Sequence, residues 1–292
     1  MKHTISNTHL EVSVLQKGTE ICSIKSLYTG IEYMWQADPE VWGSHAPVLF
    51  PAIGAIKNKE ATINGKSYAV PRHGFIRHNE HIKLQSSTDQ SLTYQLNYSD
   101  ETLKVFPYKF SFEISFSLEA NKLTVSHKVH NLDDQTIYFC LGGHPAFACP
   151  LHEGESYEDY FLEFGHNETA DTIRLSDDGL LTDHKERILT NQNTLPLRPD
   201  LFDQDALVFK DLTSKKVSLK SLKSDQQVIV SYPDFPYLGI WAKPNASFVC
   251  IEPWLGTADH AHTDGDFTKK EGIVMLPKGE VFCADYSIEI KE

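Results

Sequence analysis

The stretch FSFEISFSLEANKLTVSHKV, residues 110–129, decides the fold class of this chain. A short polar segment, ANK at 120–122, separates two runs in which polar and apolar residues alternate. Alternation with a period of two is typical of β-strands that bury one face. Two such runs joined by a short polar turn predict an antiparallel hairpin. The positions that share the inward face are Phe110, Phe112, Ile114, Phe116, Leu118, Leu123, Val125, His127 and Val129.

Further strands follow from the same pattern. Residues 92–98 and 281–290 alternate in the same way, and residues 216–222 and 227–233 predict a second strand pair. The best helical candidate is 176–190, in which Gly179 weakens the prediction. We read the charged region 151–200 as long connections with at most a short helix. The chain is therefore predicted to be all-β, a large antiparallel sandwich.

Composition limits the domain organisation and the class of partner. The chain has 292 residues, of which 40% are hydrophobic, and contains neither a linker-like segment nor a repeat, so we predict a single domain over 1–292. The net charge of −13 argues against nucleic acid and anionic membranes as partners, although an acidic surface also simply favours solubility. With no apolar leader or spanning segment and five widely spaced cysteines, we expect a cytoplasmic protein with reduced thiols.

A histidine follows an apolar run in FCLGGHPAFACP, residues 139–150. The run predicts a buried strand that ends at Gly142 and Gly143, two residues that allow backbone conformations closed to others. Pro145 restricts His144 to an extended conformation. Two interpretations follow: His144 is a structural residue of a turn, or it is a side chain delivered to a functional site.

A carboxylate interrupts a second apolar run, FVCIEPWLG at 248–256. Glu252 follows four residues typical of a strand, and a carboxylate is costly to bury without a partner. Either the strand ends at the surface, or Glu252 points into a polar pocket. Trp254 has the same facing if the strand continues, and an aromatic face beside a carboxylate suits a sugar ring.

Two further segments are rich in ligand-type side chains, but neither predicts a metal site. In VPRHGFIRHNEH, residues 70–81, His78 and His81 have the spacing of a helical zinc pair but no third ligand nearby. DHAHTDGD, residues 259–266, lacks the order of an EF-hand loop. The Walker A, GxGxxG, GxSxG and HExxH motifs are all missing, which disfavours nucleotide-dependent chemistry and common serine hydrolysis.

Taken together, five ordered segments resemble the aldose 1-epimerase (galactose mutarotase) superfamily, and within it the LacX-like branch. The resemblance implies a galactose mutarotase-like β-supersandwich that interconverts the α and β anomers of a free aldose without cofactor or metal. The segments are APVLFPAIGAIKNKEATINGKSYAVPRHGFIR (46–77), GGHPAFACP (142–150), LFDQDALVF (201–209), FPYLGIWAKPNASFVCIEPWLGTAD (235–259) and DGDFTKKEGIVMLPKGE (264–280).

The resemblance also assigns roles to residues. It implies that His144 is the general acid, Glu252 the general base and His73 the second active-site histidine. Asp205 corresponds to the substrate-binding aspartate, with Asp203 two residues away on the same alternating face.

The acid and the base have to act on different oxygens of the sugar. Opening the ring requires a proton on the ring oxygen and the removal of one from the C1 hydroxyl, so an acid and a base on opposite sides of the ring suffice. We expect Glu252 and Asp205 to favour protonated His144 through their negative charge.

One position departs from the family pattern. Members of this branch usually carry an arginine that helps to hold sugar hydroxyls where this chain has Ala55. Lys57 and Arg77 are candidates to replace it, with Trp254 as a further substrate contact.

Three hypotheses remain beside the free-aldose epimerase. In the first, the chain is a hexose-6-phosphate 1-epimerase whose phosphate site uses Arg72, Arg77 and Lys57. In the second, it is a non-catalytic sugar-binding or regulatory protein on the same fold. In the third, it is a metal-dependent, lectin-like protein. In each case the expected partner is a small-molecule sugar, and the chain is a monomer or a homodimer.

Overall fold

The computed structural model describes residues 1–292 and is nearly all-β, with 50% of residues in strands and 7% in helices. The strands are β1 (Lys2–Ser6), β2 (Leu10–Leu15), β3 (Glu20–Ser26), β4 (Val48–Leu49), β5 (Ala61–Ile63), β6 (Lys66–Tyr68), β7 (Lys83–Ser87), β8 (Ser91–Asn97), β9 (Phe110–Glu119), β10 (Lys122–Asn131), β11 (Ile137–Phe139), β12 (Leu141–Gly143), β13 (Ala146–Ala148), β14 (Tyr160–Leu175), β15 (Leu181–Pro196), β16 (Leu207–Lys210), β17 (Lys216–Ser221), β18 (Gln227–Ser231), β19 (Tyr237–Trp241), β20 (Phe248–Leu255), β21 (Val274–Leu276) and β22 (Val281–Lys291). One short helix, α1 (Asp100–Leu103), and five 3₁₀ turns, Lys17–Thr19, Lys57–Lys59, Ile76–His78, Tyr157–Asp159 and Phe267–Lys269, complete the elements.

The hairpin predicted from residues 110–129 is confirmed. Strands β9 and β10 pair antiparallel with Leu118 opposite Leu123 and Phe116 opposite Val125. Their burial alternates along the whole length, as the sequence pattern requires. Strand β22 pairs with the other edge of β10, and β17 pairs with β18. The predicted C-terminal strand and the second strand pair are therefore also confirmed.

Fifteen strands form one large sheet, and every pairing between named strands is antiparallel. Its order is β4-β12-β20-β19-β16-β14-β17-β18-β22-β10-β9-β8-β7, with β13 on β20 and β15 on β14. The largest group of buried apolar residues contains 69 side chains and reaches from Ile5 to Ile290. The single α-helix has four residues, and none of the helical elements could span a membrane.

The interpretation of residues 151–200 as connections was wrong, and so was the helical candidate 176–190. Two strands of 16 residues each, β14 and β15, occupy most of this region. Gly179, with a φ of 75°, lies in the turn between them. Leu181 and Leu189 are buried, and a spacing of eight residues fits the period of a strand as well as that of a helix. Most other residues of β15 are exposed or half-buried, so the alternation that identified β9 is weak here.

The strands β4, β12, β20 and β19 lie side by side at one end of the large sheet. Gly142 pairs with both Leu49 and Trp254, and Gly239 pairs with Glu252. Neither Gly142 nor Gly143 has a positive φ, so the conformational reason expected for them was wrong. The reason is space, because a Cβ on Gly143 would lie 2.8 Å from the ring of Tyr286. This close packing sets the position of His144, the next residue.

Candidate functional site

A cavity of about 490 Å³ opens over the β12–β20–β19 end of the sheet. Its walls bring together side chains that are far apart in sequence. Six of the seven site residues predicted from the sequence line it, namely His73, Arg77, His144, Asp205, Glu252 and Trp254. This volume lies within the usual range for small-molecule sites.

Strand β20 delivers Glu252 to the floor of the cavity. The strand continues through Glu252 to Leu255, so the side chain of Glu252 lies inside the protein and is 1% exposed. Trp254, two residues further on, has the same facing. Its indole packs over Gly239, where a Cβ would collide with the ring. Of the two interpretations of this run, the one in which Glu252 points into a pocket is therefore correct.

The imidazole of His144 lies beside Glu252. The backbone N–H of His144 donates to the carbonyl of Pro47 at 3.1 Å, which fixes the end of strand β12. Nε2 of the ring is 3.2 Å from Oε2 of Glu252. The two residues to which the resemblance assigns the roles of acid and base are thus neighbours, and a gap of 3.2 Å is too narrow for a sugar ring to lie between these two atoms.

Two tryptophans that the sequence interpretation missed hold the His144 ring. Trp42 stacks on it with 5.1 Å between ring centroids and 27° between planes, and Trp241 meets it edge-on at 5.9 Å. Both line the cavity, as does Trp254. The sequence signal that could have pointed to them is the small number of tryptophans: the chain has four, and three of them line the cavity. Aromatic faces of this kind suit the C–H faces of a sugar.

The electrostatics of the pair differ from the expectation. Burial lowers the pKa of His144 far below its ordinary value of 6.5, and the positive charge of Arg77 adds to this. Burial also raises the pKa of Glu252 well above 4.5, and the negative charge of Asp205 adds to this. The prediction that nearby carboxylates keep His144 protonated was therefore wrong, because desolvation outweighs their charge. Burial thus favours the neutral form of each group, and a proton shared by the pair is favoured on Glu252 rather than on His144.

His73 reaches the cavity from a strained turn. Its φ is 63°, a conformation uncommon for a residue with a side chain, and such outliers concentrate at functional sites. Gly74 follows at 72° and packs so closely against Phe50 that no Cβ fits. Nδ1 of His73 accepts the N–H of Gly54 at 3.2 Å. Neutral His73 therefore carries its hydrogen on Nε2, which is left free to donate to a ligand.

Asp205 and Asp203 both line the cavity. Asp205 has a φ of 69° and is half-buried, and its Oδ1 accepts the N–H of Ala206 at 2.8 Å. Asp203 is exposed. The two aspartates that the sequence could not separate therefore differ in how firmly the protein holds them, and Asp205 is the anchored one.

Arg77 and Arg72 supply the positive charge of the cavity. Arg77 is half-buried, its Nη2 donates to Oγ of Ser44 at 3.4 Å, and its buried Nε has no partner in the protein. Burial lowers the pKa of the guanidinium. Arg72 is exposed and lines both this cavity and the next one.

Lys57, the seventh predicted residue, does not line the sugar-sized cavity. Its Nζ donates to the carbonyl of Thr263 at 3.0 Å, and its N–H donates to Asp259 at 2.9 Å. It borders a neighbouring cavity of about 940 Å³ together with Ala55 and Arg72. Lys57 therefore borders the same cavity as Ala55, whereas Arg77 lines the first cavity.

The histidines considered as metal ligands, His78, His81, His260 and His262, do not line the cavity. The turn Ile76–His78 ends at His78, so His81 is not on the same helical turn, and both side chains are exposed. In the second segment, Nε2 of His260 and Nε2 of His262 lie 3.4 and 3.3 Å from the carboxylate of Asp183. None of these five histidine and aspartate side chains contacts the His144–Glu252 pair.

Comparison with known proteins gives a consistent result. The family model described as aldose 1-epimerase matches residues 1–274. The plasmid-encoded protein LacX of Lactococcus lactis subsp. lactis is 36% identical over 261 residues, which cover 86% of this chain and 87% of LacX. A galactose mutarotase related enzyme from Lactobacillus acidophilus superposes with a TM-score of 0.95 at 39% identity and covers 100% of this chain and 98% of its own. A galactose mutarotase-like protein from Lactobacillus casei gives 0.93 at 29% identity, covering 100% of both chains.

Proposed function

The chain belongs to the aldose 1-epimerase family, and we propose that it catalyses mutarotation of a free hexose, interconverting the α and β anomers. The observation that carries the proposal is the His144–Glu252 pair, two buried proton-transfer groups 3.2 Å apart in a sugar-sized cavity. The reaction needs one proton donor and one proton acceptor at a single carbon, and this pair supplies both.

The spacing of the pair fits the chemistry of C1. The ring oxygen and the hydroxyl oxygen are both bonded to C1, so they are close neighbours, as are Nε2 and Oε2. His144 protonates the ring oxygen while Glu252 takes the proton of the C1 hydroxyl, and the ring opens to the aldehyde. Rotation about C1–C2 and the reverse transfers close the ring on the other face. The proton count of the pair is restored at the end of each cycle.

The position of the shared proton adds a step at the start. Burial favours the proton on Glu252, whereas His144 needs it in order to act as the acid. We infer that the proton crosses the 3.2 Å gap to His144 as the sugar binds. Hydroxyl groups of the sugar partly solvate the pair and so stabilise the charged form that burial disfavours.

The other polar side chains hold the sugar in place. Nε2–H of His73 and the guanidinium of Arg77 donate to sugar oxygens, and the carboxylate of Asp205 accepts from hydroxyls. Trp42, Trp241 and Trp254 provide the apolar walls. Neither a cofactor nor a metal has a role in these steps, and the cytoplasmic location remains a prediction.

A phosphorylated hexose is the second candidate substrate, and one observation favours it. The neighbouring cavity of about 940 Å³ shares Arg72 with the sugar cavity and is bordered by Lys57 and Lys59, with Asp178 as the opposing charge. Ala55, which stands where members of this branch usually carry an arginine, also lines this second cavity. A phosphoryl group on the sugar would find cations there.

The test is polarimetry of freshly dissolved α-D-galactose, α-D-glucose and their 6-phosphates as each relaxes to anomeric equilibrium. Wild type, Glu252→Gln and protein-free buffer are compared. Acceleration by wild type that is lost in Glu252→Gln supports the mutarotase and its base together. Acceleration confined to the 6-phosphates supports the second candidate. Equal rates with wild type and buffer for all four sugars would contradict both and favour a sugar-binding protein, which calorimetry with the same sugars would detect.

A further inference from the structure

A third donor that the proposed reaction does not use lies beside the His144–Glu252 pair, behind the residues that line the cavity. Cys250 lies two residues before Glu252 on strand β20, so both side chains leave the same face of the sheet. One ligand atom each of Cys250, His144 and Glu252 lies within 4.8 Å of the other two, and all three residues are buried. We propose that these side chains bind a thiophilic divalent cation, zinc or cadmium, which blocks the cavity floor.

The geometry is close to that of a tetrahedral ion. Nitrogen and oxygen ligands about 2.0–2.1 Å from zinc lie about 3.3 Å from each other. The observed separation of 3.2 Å between Nε2 of His144 and Oε2 of Glu252 matches this spacing. A sulfur ligand about 2.3 Å from the ion would lie about 3.6 Å from each of them. One ligand atom of each of the three residues lies within 4.8 Å of the others, so a contraction of the cluster by about 1 Å reaches this spacing.

The chemistry of the donors selects the ion. One thiolate, one imidazole and one carboxylate form a mixed set that suits zinc and cadmium and does not suit magnesium or calcium, which prefer oxygen alone. Because His144 and Glu252 line the cavity, the fourth coordination position faces the space that a sugar would enter. Three protein ligands and one open position are typical of zinc sites that remain accessible from solvent.

The free protein leaves these donors available. Oε2 of Glu252, the carboxylate oxygen nearest to Nε2 of His144, is buried and accepts no hydrogen bond. Buried polar atoms without partners are rare because they carry the full cost of desolvation. A bound cation would satisfy the carboxylate, and it would occupy the lone pairs that proton transfer requires. Binding therefore excludes the proposed reaction, and the ion acts as an inhibitor.

The test uses cadmium, because a cadmium–thiolate bond gives an ultraviolet charge-transfer band that histidine and carboxylate sites do not. The background is Cys283→Ser, which removes the exposed cysteine. We expect one Cd²⁺ per chain with the thiolate band, and loss of the band in Cys250→Ala. Cys149→Ala is the matched control, since that cysteine is also wholly buried and has no part in the cluster. The exposed pair His260 and His262 cannot produce the band.

Two outcomes would overturn the proposal: no band in Cys283→Ser, or a band that persists in Cys250→Ala. If Cys250→Ala does not fold, Glu252→Gln takes its place as the test variant. It keeps the thiol of Cys250 and a side chain of the same size at position 252, and it must weaken Cd²⁺ binding about tenfold or more. Mg²⁺ must give no binding. The measurement contains no sugar, so its result stands apart from that of the polarimetry. If the mutarotase is confirmed, Zn²⁺ must abolish its activity and a chelator must restore it.

Discussion

His127 and His144 are both buried, and burial lowers the pKa of both, yet the regions around them differ. His127 lies on β10, where Nδ1 is 3.3 Å from the carbonyl of Ala284 and the ring stacks on Tyr286. It does not line the cavity beside His144 and Glu252. His144 lies beside a carboxylate on a cavity floor, within a cage of tryptophans.

The comparison shows that burial and a displaced pKa do not identify a site by themselves. His127 is a neutral core residue that follows the alternation of its strand and is packed on both sides by aromatic rings. What distinguishes His144 is a titratable partner with the opposite displacement and open space beside both groups.

The largest effect is expected on activity. Glu252→Gln and His144→Asn should each lower kcat about 10²–10⁴-fold, the usual contribution of one proton-transfer group. The double variant should fall little further than the worse single one, because the pair acts as a unit. Polarimetric rates at saturating sugar check this.

His127→Gln is the control for the same experiment. It removes a buried imidazole with a lowered pKa but touches neither the cavity nor the pair, so kcat should stay within about threefold of wild type for the folded protein. A loss comparable to that of His144→Asn would show that the core region is also part of the catalytic apparatus, and the comparison would fail.

The next effect concerns stability in acid. The pKa of His127 is about 4 in the folded protein and 6.5 as the ordinary value. Between these pH values the unfolded chain binds a proton that the folded chain does not, so the free energy of unfolding should fall by about 3 kcal/mol as pH drops from 6.5 to 4. Urea titrations of wild type and His127→Gln should show a shallower fall in the variant. Parallel curves would contradict the prediction.

The site behaves differently in the same pH range. The lowered pKa of His144 destabilises the fold as pH falls below 6.5, whereas the raised pKa of Glu252 destabilises it as pH rises above 4.5. The two contributions oppose each other, and the pair therefore adds less slope than His127 alone.

A smaller effect separates the two aspartates. Asp205→Asn should lower kcat/KM about tenfold or more, the value of a hydrogen bond to a charged group, because the protein holds this carboxylate towards the cavity. Asp203→Asn should change kcat/KM less than about threefold, since its side chain is exposed. Equal losses in the two variants would assign substrate binding to the segment as a whole.

Much of the site could be predicted from residues next to each other in the chain. A strand that ends in Gly-Gly-His-Pro and a strand interrupted by Glu252 each carry a local signal, because alternation fixes facing. The resemblance then related His73 and Asp205 to these strands. The alternation of β9 and β10 predicted their pairing for the same local reason.

The rest depends on contacts that no local pattern encodes. Trp42 lies in a loop and reaches His144 only through the fold, and Lys57 turns to the carbonyl of Thr263, some two hundred positions later. The protonation of the pair was mispredicted because charge is visible in a sequence and depth of burial is not. Strand β15 was missed because it is held by backbone pairing with β14. Backbone pairing does not depend on the type of side chain, so the exposed residues of β15 carry no alternating pattern.

The smallest effect is a gain in stability. The pKa of Glu252 is raised in the folded protein, so at neutral pH the unfolded chain favours the ionised carboxylate that burial disfavours, and folding bears that cost. Glu252→Gln removes the ionisation and should stabilise the fold by about 1 kcal/mol, which raises Tm by roughly 2–4 °C. Thermal unfolding followed by circular dichroism measures this, with the exposed Glu280→Gln as a control that should leave Tm within about 1 °C. A variant that is more stable yet inactive cannot owe its inactivity to misfolding. A lower Tm would instead mean that Glu252 stabilises the fold, and it would contradict the raised pKa that distinguishes this pair from His127.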